Sequence, residues 1–165
     1  RNELRKYIEE NAIAYNVQFI SETIIDRDNI LQATMKGMHQ CLDDITSVIN
    51  IDQILIDGTH FPIYTNKNNC ETIPHLCIPG GDNEYLNIAA ASILAKEYHD
   101  EEIDRFCSNN KEIADKYDLY NNKGYGTKKH RDGIKLHGLC DYHRKSRFVS
   151  FCYLLMRDIP QILNL

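Results

Sequence analysis

The sequence predicts a single α/β domain, and three observations support this prediction. Short apolar runs with strand character alternate with longer stretches in which apolar residues recur at helical spacing. Neither an internal repeat nor a domain linker interrupts the chain. Its 165 residues can bury one sizeable core but are few for two domains.

The chain is predicted to begin with a helix that is followed by a strand. Leu4, Ile8 and Ile13 form an apolar stripe among charged residues, which indicates a helix over residues 3–14. Residues 15–21 have the composition of a short strand.

A second helix and a second strand are predicted next. Asp26 or Asp28 is expected to cap the helix, whose apolar residues follow at helical spacing. The strand covers residues 51–56, and Asp57-Gly58 closes it.

A loop, a third strand and a long helix are predicted in the middle of the chain. Residues 58–72 are rich in Asn, with Gly and Pro, which is typical of a loop. Residues 73–78 indicate a strand, and because Pro74 lacks a backbone N–H, we expect this strand at an edge. The long helix covers residues 83–106 and carries a patch of Ala and Ser that lets a neighbouring backbone approach closely.

The last part of the chain is predicted to be a loop and two short helices. The loop is rich in Lys, Asn and Gly and ends in Gly124-Tyr125-Gly126. Thr127 is expected to cap the first of these helices, which stops at Gly138. The second covers residues 149–157.

Charge is distributed unevenly, with basic residues concentrated near the C-terminus. The whole chain has a net charge of −5, whereas residues 121–147 contain eight lysines and arginines against two aspartates. We call these residues the basic segment. Such a concentration of positive charge is typical of a surface that binds a polyanion, although a solvated basic face would have the same composition.

The six cysteines have no spacing typical of a disulfide framework, and the start of the chain has no secretion signal. We therefore expect reduced thiols and an intracellular, cytoplasmic protein. No apolar run approaches the roughly 18 residues that a membrane helix needs, so no membrane association is expected. The spacing His137-x-x-Cys140-x-x-His143 offers only three zinc ligands without a CxxC partner, so a structural zinc site is the weaker interpretation.

Two acidic residues follow predicted strands directly. Asp57 ends the second strand, and Asp82 comes a few residues after the third. If these strands are parallel, both carboxylates emerge at the same edge of the sheet, where sites gather in α/β folds. They would then suit a divalent cation. Taken singly, Asp57-Gly58 is more often a turn and Asp82 more often a helix cap, so the pair leaves both interpretations open.

Five motifs occur in an order that resembles the ribonuclease HII (type 2 ribonuclease H) family. They are Ile56-Asp57-Gly58, Gly81-Asp82, IAAASILAK at 88–96 with Asp100, KGYGTKKH at 123–130, and His143-Arg144-x-Ser146. The stretch IDRDNILQATMKGM at 25–38 is similar to that family as well, so the resemblance covers essentially the whole chain.

The resemblance implies a ribonuclease H-like fold, with a mixed central sheet flanked by helices and a C-terminal helical segment. It also implies an endonuclease that cuts the RNA strand of RNA–DNA hybrids and at ribonucleotides embedded in duplex DNA. Two-metal hydrolysis with Mg²⁺ or Mn²⁺ would leave 5′-phosphate ends. We expect a monomer.

The resemblance assigns roles to individual residues. Asp57 and Asp82 correspond to the third and fourth metal-binding catalytic acids of the family, and Asp100 to a supporting aspartate. Tyr125 corresponds to the tyrosine that stacks on the sugar and senses the 2′-hydroxyl, the group that distinguishes RNA from DNA. Phosphate contacts are expected from a group of basic side chains: Lys123, Lys128 and Arg144.

The sequence departs from the family pattern at two places. Gly80 stands where the family generally has a lysine, and the opening strand with its Asp-Glu-Ala-Gly-Arg-Gly motif has no counterpart. We therefore expect residues 1–120 to be a catalytic domain without its first two strands, the chain being N-terminally incomplete. Residues 121–165 would be the basic substrate-binding segment of the same domain.

Two other functions remain compatible with these residues. Because the first two catalytic acids are absent, the chain as given could be an inactive nucleic-acid-binding fragment. An integrase-like or resolvase-like nuclease would share the fold, but the Gly-Tyr-Gly motif speaks against it because those enzymes have no ribose to sense.

Overall fold

The computed structural model of the protein describes residues 1–143. It begins with helices α1 (Asn2–Asn11), α2 (Glu22–Asp28) and α3 (Ile30–Thr46), and strand β1 (Ile54–Asp57) follows. The predicted helix at 149–157 and Arg144 lie outside the described residues. No helix within residues 1–143 is long and apolar enough to cross a bilayer.

Three short strands and a long helix form the middle of the chain. The strands are β2 (Tyr64–Thr65), β3 (Thr72–Ile73) and β4 (His75–Ile78), and the helix is α4 (Leu86–Asn109). β1 and β4 pair in parallel, whereas β2 and β3 form a separate antiparallel pair. The predicted α/β class is confirmed, with both kinds of pairing, although each occurs in its own two-stranded sheet within the described residues.

Three short helices follow α4: α5 (Lys111–Tyr117), α6 (Leu119–Asn122) and α7 (Lys128–His137). The prediction of an unbroken loop before the Gly-Tyr-Gly turn is therefore wrong. Ala114, Tyr117 and Leu119 pack with the last turn of α4 in a buried cluster, and this packing stabilises two helices too short to form alone.

The prediction of a strand at residues 15–21 is also wrong, because these residues form no ladder of backbone hydrogen bonds with another strand. In the part of the chain that the structure describes, no strand lies beside them to accept their backbone hydrogen bonds. Side chains hold the segment instead: Asn16 and Gln18 donate to a carboxylate oxygen of Asp44 on α3, at 3.0 and 2.8 Å.

The prediction that Asp26 or Asp28 caps α3 is wrong, because Asn29 is the capping residue. Its side-chain oxygen accepts a hydrogen bond from the backbone of Gln32 at 3.1 Å. Asp28 instead accepts bonds from Arg27 and Lys36, which hold its pKa well below the usual range.

Pro74 divides the predicted third strand into β3 and β4. It has no N–H to donate, yet its carbonyl accepts a hydrogen bond from Ile54 at 2.9 Å, so the β1–β4 pairing continues past it. Within the described residues β4 has one strand neighbour only, as expected for an edge strand that contains proline.

Within residues 1–143 the core consists of three buried clusters. In the first, α3 packs on β1 and on the 61–73 region, and Leu42 and Ile54 are fully buried there. In the second, Ile8 of α1 packs on Ala90 and Leu94 of α4, which confirms that the small residues of α4 receive a neighbouring element. The third is the cluster that joins α4 to α5 and α6.

Candidate active site

Parallel pairing brings the ends of β1 and β4 to one edge of the sheet. Asp57 is opposite Ile78 in the register, and Gly58 donates to the carbonyl of Ile78 at 3.2 Å. From Ile78 the chain turns into a short 3₁₀ helix, Gly81–Asn83, which contains Asp82. The prediction that Asp57 and Asp82 emerge at the same edge is confirmed.

The carboxylate of Asp57 holds the loop that carries Asp82. Its Oδ1 accepts hydrogen bonds from the backbone N–H groups of Gly80 and Gly81, at 2.9 and 3.2 Å. Asp57 is exposed, and its Oδ2 makes no hydrogen bond or ion pair within residues 1–143. The turn interpretation of Asp57-Gly58 is therefore incomplete, because the side chain joins two segments that are distant in sequence.

Gly80 and Gly81 shape the loop. Gly80 has φ 72° and ψ 24°, a left-handed conformation that favours glycine. Gly81 is buried, and a Cβ there would lie 2.6 Å from Cδ1 of Ile88 and 3.3 Å from Cβ of Ile78. The absence of a side chain at Gly81 therefore lets the loop pack against the first turn of α4.

Asp82 does not cap a helix, so that interpretation of the residue is wrong. The N-cap residue of α4 is Tyr85, and neither α4 nor the 3₁₀ helix has a side-chain capping bond. Asp82 is half-buried, and its Oδ1 accepts one hydrogen bond from the side chain of Asn83 at 3.1 Å. Its other oxygen makes no hydrogen bond or ion pair to the residues that the structure describes.

Asp57 and Asp82 are the residues at this edge that could hold a cation. Across residues 1–143, no group of three or more His, Cys, Asp or Glu side chains is placed to hold a metal ion. Two carboxylates nevertheless suit Mg²⁺ or Mn²⁺, since Mg²⁺ is usually bound by one or two carboxylates together with water and substrate phosphate oxygens.

The zinc-like spacing at His137, Cys140 and His143 does not bring all three side chains together in the described part of the chain, although Sγ of Cys140 lies 2.9 Å from Nδ1 of His143. Nδ1 of His143 accepts a hydrogen bond from the backbone of Cys140 at 3.1 Å, and its Nε2 lies 3.2 Å from Nε2 of His130. The ring of His137 faces Tyr117 instead, with 6.2 Å between the ring centroids.

Tyr125 lies against the middle of α4, beside His99 and near Asp100. The exposed ring of Tyr125 is 5.6 Å from the ring of His99, whose Nδ1 is 3.2 Å from the Asp100 carboxylate. Burial, and then the negative charge of Asp100, raise the pKa of the Tyr125 phenol, so its hydroxyl stays protonated at neutral pH. No hydrogen bond or ion pair in the described part of the chain joins this group to Asp57 or Asp82.

The predicted phosphate-binding residues differ in their surroundings. Lys123 is half-buried and forms an ion pair with Asp104 of α4. Lys128 is exposed at the start of α7 and has no hydrogen-bond or ion-pair partner within residues 1–143. Arg144 lies outside the described residues, so its predicted role stays a prediction.

Two residues that sequence patterns do not predict support the Gly-Tyr-Gly turn. Arg131 donates to the carbonyl of Gly126 at 2.8 Å, and the Oδ1 of Asn122 accepts from the backbone of Gly124 at 2.8 Å. No pattern in the sequence marks either residue, because both bonds depend on how α6 and α7 fold back on the turn. Thr127 does cap α7, as predicted, by accepting from the backbone of His130 at 3.3 Å.

Comparison with known proteins agrees with the resemblance to the ribonuclease HII family. A sequence model described as ribonuclease HII matches residues 1–153. Ribonuclease HII from Christiangramia forsetii is 43% identical over 146 residues, which cover 88% of this chain and 68% of the relative. The Parabacteroides distasonis protein of that name is 41% identical over 149 residues, 88% of this chain and 67% of its own length. The chain thus spans about two thirds of the length of these relatives.

Proposed function

The chain belongs to the ribonuclease HII family, and on that basis we propose that it is an endonuclease acting on RNA joined to or paired with DNA. The substrates are the RNA strand of RNA–DNA hybrids and single ribonucleotides embedded in duplex DNA. Hydrolysis of the phosphodiester leaves a 5′-phosphate end. Ribonuclease H activity and the ribonuclease H-like fold follow from the family, whereas the choice of substrate and the mechanism are our proposal.

One observation carries the proposal most directly. The Asp57 carboxylate bonds to two consecutive backbone amides of the loop that bears Asp82, so the two acids are held at one sheet edge by a direct contact. Each retains an oxygen that no other described residue binds. Two oriented carboxylates at the carboxyl ends of parallel strands are suited to bind cations next to a phosphodiester.

Asp57 and Asp82 would hold the divalent metal on which the family generally depends, and we propose Mg²⁺ or Mn²⁺. When bound, the metal activates water for attack and neutralises charge on the phosphate. The chain's own contribution is orientation, since Asp57 fixes the loop through Oδ1 while Oδ2 is free to face the substrate. Asp100 supports Tyr125 through charge and through His99.

Tyr125 and the basic segment would bind the nucleic acid. The exposed phenol ring can stack on a sugar, and its protonated hydroxyl can bond to a 2′-hydroxyl. Lys128 is free to contact a phosphate, and Lys123 can do so in exchange for its partner Asp104. We propose that residues 1–120 hold the catalytic acids, and that residues 121–165, including Arg144, bind the substrate as part of the same domain.

We propose that the protein works as a monomer in the cytoplasm. The two acids, Tyr125 and Lys128 all come from one chain, so none of these groups has to be supplied by a second copy. The five cysteines among the described residues form no disulfide with one another, which is the form that a reducing compartment maintains.

Binding without cleavage is the second candidate function. It is favoured by the lack, within residues 1–143, of a cluster of three metal-binding side chains. A protein with two acids at this sheet edge could still bind an RNA–DNA hybrid through the basic segment.

The test uses the whole chain and three labelled duplexes: an RNA–DNA hybrid, a DNA duplex with one ribonucleotide, and an all-DNA duplex. With Mg²⁺ or Mn²⁺ we expect cuts in the first two, with 5′-phosphate ends, and none in the third. Salt-sensitive binding without any cut would support the binding function instead. Cutting of all three duplexes would contradict both proposals.

A further inference from the structure

Two buried polar side chains lie directly beneath the Gly-Tyr-Gly turn. His130 of α7 is 7% exposed and Asn122 of α6 is 5% exposed, so both need internal hydrogen bonds. Together with His143 and the backbone amide of Cys140 they form a continuous series of bonds, which we call the histidine chain. The proposed chemistry above makes no use of it.

The direction of each bond in the histidine chain follows from its first donor. Nδ1 of His143 lies 3.1 Å from the backbone nitrogen and 2.9 Å from Sγ of Cys140. A backbone N–H can only donate, so we take this nitrogen as the acceptor, toward which the thiol can also donate, and neutral His143 then carries its proton on Nε2. That nitrogen lies 3.2 Å from Nε2 of His130 and donates to it. The proton of His130 must then be on Nδ1, which lies 3.3 Å from Oδ1 of Asn122.

Asn122 connects the histidine chain to the turn. Its Oδ1 accepts from the backbone N–H of Gly124 at 2.8 Å, and its carbonyl accepts from that of Tyr125 at 2.8 Å. Its Nδ2 donates to the carbonyl of Tyr117 at 2.7 Å, which fixes the orientation of the amide. The side-chain amide of Asn122 therefore bonds both to the turn, through the Gly124 amide, and to His130.

The turn needs such support because its backbone is in a conformation that is rarely populated. Lys123 has φ 50° and Gly124 has φ 80°, both in the left-handed region. Without the bond to Asn122 the Gly124 amide would lose its acceptor, and the backbone before Tyr125 could relax to other conformations.

We propose that His130 is a positioning residue, which acts through Asn122 to hold the turn and thereby sets the direction of the Tyr125 ring. The role for catalysis rests on the proposed function, since it requires Tyr125 to touch the substrate. The effect of His130 on the turn does not rest on the proposed function. A purely structural role for His130 in the packing of α7 would predict no such specific link to Gly124.

Two substitutions of His130 separate these roles. The side-chain nitrogen of His130→Asn can occupy the place of Nδ1 and donate to Asn122. The side-chain oxygen of His130→Gln can occupy the place of Nε2, where it accepts from Nε2 of His143 and does not reach Asn122. Each variant keeps one bond and loses the other. The measurements are hydrogen exchange of the Gly124 amide, and kcat and KM for a duplex with one embedded ribonucleotide.

For His130→Gln we expect at least a tenfold loss of Gly124 amide protection and of kcat, with KM within about threefold of the original value. For His130→Asn we expect the Gly124 amide protection and kcat to stay within about threefold of their original values. Equal effects of the two variants, or a larger effect of His130→Asn, would overturn the proposal. If the unaltered chain cleaves nothing, the proposed function fails, and the Gly124 exchange alone still decides the positioning role.

A measurement on the unaltered chain covers the case in which neither variant folds. Nitrogen-15 NMR of the imidazole rings reports which nitrogen carries the proton. We expect the proton on Nδ1 of His130 and on Nε2 of His143. A proton on Nε2 of His130 would leave no donor toward Asn122, which would overturn the proposal.

Discussion

Asp57 uses its two carboxylate oxygens for different purposes. Oδ1 accepts from the amides of Gly80 and Gly81, while Oδ2 makes no hydrogen bond or ion pair with a described residue. An asparagine could still accept the two amide bonds, but it would lack the negative charge that a metal ion requires. The structural and the proposed chemical roles of this residue can therefore be separated by substitution.

Gly80 offers a way to test the departure from the family pattern. The nearest heavy atom to a Cβ at Gly80 is 4.0 Å away, so a lysine fits there, although the left-handed φ costs on the order of 1 kcal/mol. We expect Gly80→Lys to tighten binding of an RNA–DNA hybrid and to steepen its salt dependence by about one unit of log K per log salt. The measurement is a binding titration at several salt concentrations without divalent cations.

The control is Gly80→Ala, which imposes the same backbone strain without the charge. It should leave the salt dependence unchanged. If both variants gave the same slope, the charge at position 80 would not face the nucleic acid.

His39 makes stability depend on pH. Its ring packs edge-on against Phe61 and Tyr64, and its Nε2 is buried with no partner among the described residues. Burial lowers the pKa of His39 below its ordinary 6.5, and this outweighs the opposite effects of a hydrogen bond to the backbone of Pro62 and of the charge of Asp43. The unfolded chain therefore takes up a proton first, so the free energy of unfolding is highest above pH 6.5 and falls as pH decreases toward the lowered pKa.

His39→Leu should weaken this dependence, because leucine has no proton to bind. Denaturant unfolding at about pH 7.5 and about pH 5.5 measures it. We expect a smaller difference between the two pH values for the variant, with the remainder coming from His130 and His143, whose pKa values burial also lowers. An undiminished difference would show that His39 does not titrate in this range.

The contact between α5 and α7 depends on one glycine. A Cβ at Gly133 would lie 2.4 Å from the carbonyl oxygen of Lys116 and 3.2 Å from Cα of Tyr117, and backbone atoms cannot move aside as a side chain does. In an exposed helix Gly→Ala stabilises by about 1 kcal/mol. We expect Gly133→Ala to destabilise instead, by about 1–3 kcal/mol, in denaturant unfolding.

Gly126→Ala is the matched control, because nothing lies within 4 Å of a Cβ there. Its free energy of unfolding should change by no more than about 0.5 kcal/mol. Stabilisation by Gly133→Ala would mean that α7 does not pack on α5 as described.

Sequence patterns predicted those elements that carry their own signal. The helix α4, the cap at Thr127 and the strand before Asp57 follow from apolar spacing and capping chemistry within a few residues. Residues 15–21 have strand composition but no strand beside them, and α5 and α6 are held by burial of Tyr117 and Leu119 rather than by propensity. Whether such segments form a strand or a helix depends on residues that are distant in sequence, and a local sequence pattern does not show which residues these are.

The candidate site divides in the same way. The shared edge of Asp57 and Asp82 followed from the order of strands, because parallel pairing fixes where both acids emerge. The hydrogen bonds from the Gly80 and Gly81 amides to Asp57 could not be predicted from the order of strands. The support of the turn by Asn122 and Arg131 could not be predicted from it either. Each of these contacts depends on the path of a loop.

The whole molecule combines an acidic edge with a basic segment. The net charge of −5 would repel a polyanion, whereas residues 121–147 contain eight basic residues against two acidic ones, a composition that would attract it. α4 connects the two regions, since Asp82 precedes its first turn and Tyr125 packs against His99 at its middle. A duplex lying along α4 could contact both.

The central claim is that Asp82 takes part in cleavage rather than in folding. The most direct measurement is the rate at which the whole chain cuts a duplex with one embedded ribonucleotide, in Mg²⁺ or Mn²⁺. Asp82→Asn should abolish cutting while binding stays within about threefold, because the substitution removes one charge and no helix cap. Asp115→Asn, the same change at an exposed site on α5, should cut at the original rate. An undiminished rate for Asp82→Asn would contradict the assignment.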